Sequence, residues 1–200
     1  ARIARIYEGT NEINRMLSVG MLIKKAFKGH VDLLGPATKV QEELMGIPSF
    51  DTPDYSELFS EEKEMLGKLK KAFLMVAGGA VQKYGPDLEG HQQLLIAAAD
   101  ILIEIYMAES TILRTEKMAK KDGESNVQEQ IAMAKLYLYK AVDVVTQKGK
   151  ESVISFAEGD EQRMMLMGLR RFTKYTNMPN IIGLREMITT KLVAENEYCF

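Results

Sequence analysis

A carboxylate, a glycine and a helix-starting threonine are adjacent near the start of this sequence. Glu8 can act as a general base if its neighbours Ile6 and Tyr7 shield it from water. Gly9 has no side chain, so a bound molecule can approach the backbone there. Thr10 is a favoured N-cap for the amphipathic segment that follows, and the free N–H groups of a helix N-terminus suit a phosphate. These residues predict a base beside an anion-binding helix end.

A purely structural interpretation competes with this one. Thr10 and Asn11 can simply begin a helix, with Glu8 and Glu12 placed near its positive end, where acidic residues are favoured. For an arbitrary Glu-Gly-Thr triplet, this simpler interpretation is the better one, because short motifs often occur by chance.

The longer motif is far more specific than the triplet. The run Ile-Tyr-Glu-Gly-Thr-Asn-Glu-Ile over residues 6–13 is preceded by Ala4-Arg5 and followed by Asn14-Arg15. It resembles the C-terminal signature of the acyl-CoA dehydrogenase family. The resemblance implies that Glu8 removes the α-proton of an acyl-CoA thioester and that Gly9 lies against this substrate. It also implies contact with FAD for three further residues, Thr10, Asn11 and Glu12.

The resemblance is sharp over residues 1–29 and diffuse beyond them, where the layout is similar to long-form, very-long-chain-like members with an added helical C-terminal domain. It implies a flavin enzyme that catalyses α,β-dehydrogenation of fatty acyl-CoA thioesters in β-oxidation. The implied partners are an electron-transfer flavoprotein and a second copy in a homodimer. The implied location is the cytoplasm in a bacterium, or the mitochondrial matrix or inner membrane in a eukaryote.

Three regions are expected along the chain. Residues 1–30 would be the end of the catalytic core, residues 31–60 a connector, and residues 61–200 a helical C-terminal domain. The connector is predicted because prolines and turn-forming residues interrupt its apolar pattern. A short helix is expected over residues 37–45, and three aromatic residues are expected to anchor the connector to a surface, namely Phe50, Tyr55 and Phe59.

The resemblance also raises the possibility of a weak peripheral membrane contact by this connector. Glu42 and Glu43 interrupt its apolar face, which argues against that role. No apolar run approaches the roughly 20 residues needed to span a bilayer.

Apolar residues recur at spacings of three and four through the rest of the sequence, which is typical of helices packed in a bundle. We therefore predict an all-α, antiparallel up-and-down helical bundle. The expected helices cover residues 11–28, about 61–84, 88–121, 125–157, 161–175 and a last segment ending near 194. Ser60 is expected to cap the second of these helices. Gly78 and Gly79 fall inside it, which predicts a kink or the close approach of another helix.

The inventory of reactive side chains excludes most other chemistries. The 200 residues include two histidines and one cysteine, Cys199, so an internal disulfide is impossible. The net charge of −2 gives no basic excess for nucleic acid. Asp100 and Glu104 near His91 could suggest a metal site, but no Glu-x-x-His motif accompanies them, so a solvated helix face is the favoured interpretation.

Two functions therefore remain open for the sequence. In the first, Glu8 is the base of an FAD-dependent acyl-CoA dehydrogenase. In the second, the chain is a non-catalytic helical module for dimerisation, or for membrane or partner association. Because the sequence begins Ala-Arg-Ile without a methionine, we expect it to be a C-terminal piece that is inactive alone.

Overall fold

The computed structural model describes residues 2–46 and 54–200, and these residues contain α-helices but no β-strand. The prediction of an all-α fold is confirmed. The prolines Pro48 and Pro53 and the expected anchor Phe50 lie outside the described residues. The described residues form seven α-helices, namely α1 (Asn11–Phe27), α2 (Leu34–Met45), α3 (Ser60–Tyr84), α4 (Gln92–Asp122), α5 (Gln128–Phe156), α6 (Gly159–Phe172) and α7 (Ile181–Glu195).

Ion pairs between helices show which neighbours run in opposite directions. On α3 and α4, Lys63 pairs with Glu116, and Lys70 pairs with Glu109 at 2.6 Å. Since the residue numbers rise along α3 while they fall along α4, these two helices are antiparallel. Such exposed pairs each contribute at most about 1 kcal/mol, so they report direction more than they stabilise the bundle.

Stability comes mainly from a core between α3, α4 and α5. Five of its aliphatic side chains are completely shielded from water, namely Leu69, Ile101, Ile112, Leu138 and Val145. Full burial of one such side chain is worth about 1.5–3 kcal/mol relative to leaving it exposed. Helix α6 closes this core with Phe172, which is 2% exposed.

Gly79 lies where three helices approach one another closely. A Cβ atom at this position would lie 2.7 Å from Cε of Met165 on α6 and 2.9 Å from the Phe156 ring on α5. The predicted close approach of another helix is therefore confirmed. At Gly78, a Cβ would lie 3.3 Å from Cβ of Ala37, which brings α2 onto the same side of α3.

Several helix ends differ from the sequence prediction. Ser60 is the first residue of α3, so the prediction that it caps the helix is wrong. The capping position belongs to Phe59, whose backbone is left-handed with φ of 63° and whose side chain is 2% exposed. Burial of the aromatic ring thus sets the start of α3. Helix α4 begins at Gln92, because Gly85–Gly90 form a 3-10 helix before it.

The end of the predicted connector is attached to α3 by side chains. Phe59 is buried, and the Tyr55 hydroxyl donates a hydrogen bond to Oε2 of Glu64 at 2.5 Å. Tyr55 is therefore hydrogen-bonded to α3, and Phe59 belongs to the buried core. Lys68 pairs with the other carboxylate oxygen of Glu64, one helical turn further on.

We predict opposite effects for two alanine substitutions on α3. Gly79→Ala should destabilise the protein by about 1–3 kcal/mol, because the added methyl group overpacks the contact with α5 and α6. Gly67→Ala should stabilise it by up to about 1 kcal/mol, because no atom lies within 4 Å of its Cβ position and alanine favours the helix. Urea denaturation of both variants checks the prediction, and equal effects would contradict it.

We also predict acid sensitivity at Glu64. Burial raises the pKa of its carboxyl, but hydrogen bonds from Lys68 and Tyr55 outweigh burial and leave that pKa below its ordinary value. Glu64 therefore adds stability above a pH of about 4.3, the ordinary pKa of glutamate, and this stability is lost as the pH falls through the lowered pKa.

Denaturation of Glu64→Gln and of the parent chain between pH 7 and pH 3 tests this prediction. The parent should be the more stable at pH 7, and the difference should vanish at the acid end. Tyr55→Phe, which removes only the donor, should cost about 0.5–1.5 kcal/mol at pH 7. A pH-independent difference would show that the charge of Glu64 contributes nothing.

Candidate active site at the start of helix α1

The predicted helix-starting threonine occupies the N-cap position of α1. The backbone of Thr10 is extended, with φ of −61° and ψ of 156°, and its Oγ1 accepts a hydrogen bond from the Ile13 amide at 3.3 Å. The amides of Asn11 and Glu12 belong to the first turn, where an α-helix provides no carbonyl partner. These two N–H groups and the hydroxyl hydrogen of Thr10 are donors at the positive end of the helix dipole.

The backbone before this cap makes a left-handed turn. Glu8 has φ of 56° and Gly9 has φ of 92°. The Gly9 carbonyl accepts a hydrogen bond from Nδ2 of Asn14 at 2.9 Å, and a Cβ on Gly9 would lie 2.8 Å from Oδ1 of the same asparagine. Glycine therefore suits both the backbone angle and the crowding at position 9.

A left-handed conformation is unfavourable for a glutamate, and such strained residues are concentrated at functional sites. Glu8 follows the short 3-10 helix Ile3–Arg5 and precedes the cap of α1. The turn thus places Glu8 two residues before Thr10, the N-cap of α1. A carboxylate therefore lies just ahead, in the sequence, of a helix end with free N–H donors.

Among the described residues, Glu8 lacks the expected shielding. Its two apolar neighbours are largely in water, with Ile6 64% exposed and Tyr7 53% exposed, and Glu8 itself is exposed. The expectation that these two residues bury the carboxylate is therefore wrong for the described residues.

Exposed apolar side chains continue from this turn along α1. Ile13, Leu17 and Met21 are four residues apart on one helix face and are 49–55% exposed. Because each turn of an α-helix takes 3.6 residues, this spacing makes a continuous apolar stripe. A stripe of this kind beside a strained carboxylate is typical of a surface that is covered by another part of a protein.

The opposite side of α1 is fixed to α4. Nε of Arg15 lies 2.7 Å from Oδ1 of Asp100, and both side chains are partly buried. Glu104, one turn further along α4, pairs with Lys140 on α5 at 3.3 Å. The two carboxylates are therefore partners of cations on neighbouring helices, and the expectation of a simple solvated face is wrong.

Sequence reasoning missed two residues that hold the site together. The sequence places Asn14 only within the motif, whereas in the structure its side-chain amide donates a hydrogen bond to the Gly9 carbonyl. Arg15 joins the site to α4 through Asp100. The first contact is local, and an asparagine five residues after the glycine was its signal. The second contact joins residues 85 positions apart, and no local pattern identifies it.

The described part of the chain offers no competing metal centre, since no group of three or more potential ligands occurs within residues 2–46 and 54–200. Asn11 is partly exposed, and Glu12 is exposed. Among the same residues, no helix is both long and apolar enough to cross a membrane.

Comparison with known proteins identifies the family of this chain. Residues 68–171, just over half of the chain, match the model of the acyl-CoA dehydrogenase C-terminal domain. A probable acyl-CoA dehydrogenase of Bacillus subtilis (strain 168) is 39% identical over 176 residues, which cover 88% of this chain and 29% of that protein. The chain therefore belongs to the acyl-CoA dehydrogenase family.

A solved structure has the same fold over the whole chain. It is a crystal structure of an acyl-CoA dehydrogenase from Bacillus anthracis complexed with FAD. The two folds superpose with a TM-score of 0.90 at 38% sequence identity, covering 100% of this chain and 33% of that one. The chain thus spans about a third of the length of these relatives.

We predict that the Thr10 hydroxyl stabilises the first turn of α1. Thr10→Ala should cost about 1 kcal/mol locally, because the Ile13 amide loses its acceptor. That amide should then exchange its hydrogen about fivefold faster. Thr10→Ser keeps the hydroxyl and should exchange at the parent rate. Hydrogen exchange followed by NMR makes the comparison, and equal rates in all three proteins would contradict the cap.

Proposed function

We propose that this chain provides the catalytic base and part of the flavin site of an FAD-dependent acyl-CoA dehydrogenase, acting on fatty acyl-CoA thioesters in β-oxidation. The observation that carries the proposal is the strained Glu8 beside the unpaired first-turn donors of α1. Family membership and the FAD complex of the Bacillus anthracis relative support it.

The residues at the start of α1 fit a flavin nucleotide. The Asn11 and Glu12 amides and the Thr10 hydroxyl are donors for its pyrophosphate, which is favoured at the positive end of a helix. The Thr10 oxygen already accepts from Ile13, and its own hydrogen stays available for donation. The exposed Glu12 carboxylate would accept hydrogen bonds from hydroxyl groups of the cofactor.

The chemistry divides between the cofactor and this chain. Bound FAD would supply the acceptor for the hydride that leaves the β-carbon. Glu8 takes the α-proton, so that the electrons of the α-C–H bond form the new double bond. Gly9 allows the thioester to lie against the backbone beside this base. The apolar side chains Ile6 and Tyr7 would exclude water once substrate and the rest of the enzyme cover them.

The rest of the active enzyme would come from sequence outside this chain, because the relatives are about three times as long. We propose that residues 1–30 complete its catalytic core and that residues 61–200 form its helical C-terminal domain. Residues 31–60 would connect these two parts. An electron-transfer flavoprotein would reoxidise the flavin, and a homodimer would be the working form. The 200-residue chain alone would be inactive.

A second candidate function is that of a non-catalytic helical module for dimerisation or partner association. Helix α7 favours it, because apolar residues lie on all its sides and it packs mainly on α5. Ile182 and Val193 on its outer side are 69% and 71% exposed. Deletion of α7 distinguishes the two functions. If the deletion abolishes association but leaves flavin content and turnover unchanged, α7 serves assembly alone.

Replacement of the base tests the catalytic proposal in the full-length protein. Glu8→Gln keeps the shape of the side chain but cannot accept the α-proton, so kcat should fall by about 10²–10⁴-fold or more. FAD should stay bound, because Thr10 and the first-turn amides are unchanged. Visible absorbance of the purified protein gives the flavin content, and a dye-linked assay with a fatty acyl-CoA gives kcat.

Glu12→Gln is the matched control, with the same chemical change four residues away. It should lower flavin content more than turnover per bound flavin, and added FAD should restore its activity. If flavin-loaded Glu8→Gln turned over at nearly the parental rate, the base would lie outside this chain. That result would contradict the proposal.

A further inference from the structure

Helix α1 is attached to the bundle unevenly along its length. In its second half, Val19 is buried and two further apolar side chains pack against the hydrophobic core. Among the apolar residues of its first half, Met16 packs against this core, but Ile13 and Leu17 are more than half exposed, at 52% and 55%. The half of α1 that follows Thr10 therefore has few apolar contacts to hold it in place.

An ion pair supplements these contacts in the first half of α1. Nε of Arg15 lies 2.7 Å from Oδ1 of Asp100 on α4, and the two side chains are 34% and 24% exposed. A second pair lies at the other end of α1, where Lys24 is 3.0 Å from Glu89 and both side chains are about two-thirds exposed. Because solvent screens an exposed pair more than a partly buried one, the Arg15 pair is the stronger of the two.

Asp100 is a fixed anchor for this pair. Its neighbours on α4, Ala99 and Ile101, are completely shielded from water. A shift of α4 at this point would expose both side chains, which is unfavourable. The carboxylate of Asp100 therefore has a position set by the bundle core, and Arg15 transmits that position to α1.

The start of α1 lies far from the residue at which the helix is buried. Thr10 is nine residues before Val19, or about 13 Å at about 1.5 Å per residue. A tilt of about 5° about Val19 would therefore displace Thr10, and Glu8 before it, by about 1 Å. Such a displacement matters for a reaction, because a misplacement of about 1 Å can lower a rate about 100-fold.

We propose that Asp100 is a positioning residue for the proposed active site. Through Arg15 it holds the first half of α1 on α4, and it thereby sets where Glu8 and the first-turn N–H groups lie. The predicted effect on turnover rests on the proposed function of Glu8. The effect on α1 itself does not, because it can be measured without substrate or flavin.

Asp100→Asn in the full-length protein tests the effect on turnover, since it removes the charge but keeps the size of the side chain. In the folded, flavin-loaded variant, kcat per bound flavin should fall about tenfold or more, because the base is displaced from the α-carbon. KM for the fatty acyl-CoA should change less than kcat, because the base acts in the transition state rather than in substrate binding. A purely structural role would lower the melting temperature without changing kcat per bound flavin.

Glu89→Gln is the matched control, because it makes the same carboxylate-to-amide change in the ion pair at the other end of α1. It should leave kcat and flavin content at the parental values. Arg15→Gln should lower kcat as Asp100→Asn does, and the double variant should be no worse than either single one, because both changes remove the same contact. Additive losses of kcat would contradict a shared role.

Hydrogen exchange in the 200-residue chain tests the attachment of α1 directly. In Asp100→Asn, the amides of residues 14–18 should exchange about threefold or more faster than in the parent, because an ion pair that restrains this half is lost. The amides of α5 should keep their parental rates, and Glu89→Gln should leave residues 14–18 unchanged. Parental exchange at residues 14–18 in Asp100→Asn would overturn the proposal.

The outcomes distinguish this proposal from the proposed function. If Glu8→Gln is inactive but folded Asp100→Asn has parental kcat per bound flavin, the base assignment stands and the positioning role fails. If Glu8→Gln turns over normally, the proposed function fails, and the exchange rates still decide whether Asp100 holds α1. Circular dichroism shows whether each variant folds. If Asp100→Asn does not fold, Arg15→Gln replaces it, and failure of both to fold would show a general structural role instead.

Discussion

Burial of α4 between α1, α3 and α5 is the packing constraint on which the other elements depend. Ile101, Ala108 and Ile112 are completely inaccessible to water, so α4 cannot rotate or slide without exposing them. This fixed helix presents Asp100 to Arg15 and thereby sets the position of α1. Since Glu8 and Thr10 sit at the start of α1, the proposed site takes its position from a core to which it contributes little.

The start of α1 combines local strain with supporting contacts. The left-handed backbone at Glu8 and Gly9 is unfavourable in isolation, and it persists because Asn14 holds the Gly9 carbonyl and Thr10 caps the helix. These contacts leave the donors and the carboxylate directed away from the bundle core. The exposed apolar stripe on α1 beside them is consistent with a site completed by another part of the enzyme.

The two ends of α1 differ in their chemistry for one physical reason. The helix dipole makes its N-terminus favourable for anions, and the lysines near its C-terminus satisfy the opposite end. The proposed flavin contacts use the first property.

The sequence by itself determined the helical class, the cap at Thr10 and the family motif, because each depends on residues within one or two turns. Helical periodicity identified most of α3, α4 and α5 for the same reason. Only the tertiary structure decided that Phe59 rather than Ser60 precedes α3, because burial of the ring depends on the assembled core. It also paired Asp100 with Arg15 and left Glu8 exposed. Those features arise between helices that are distant in sequence, and no local pattern encodes such distances.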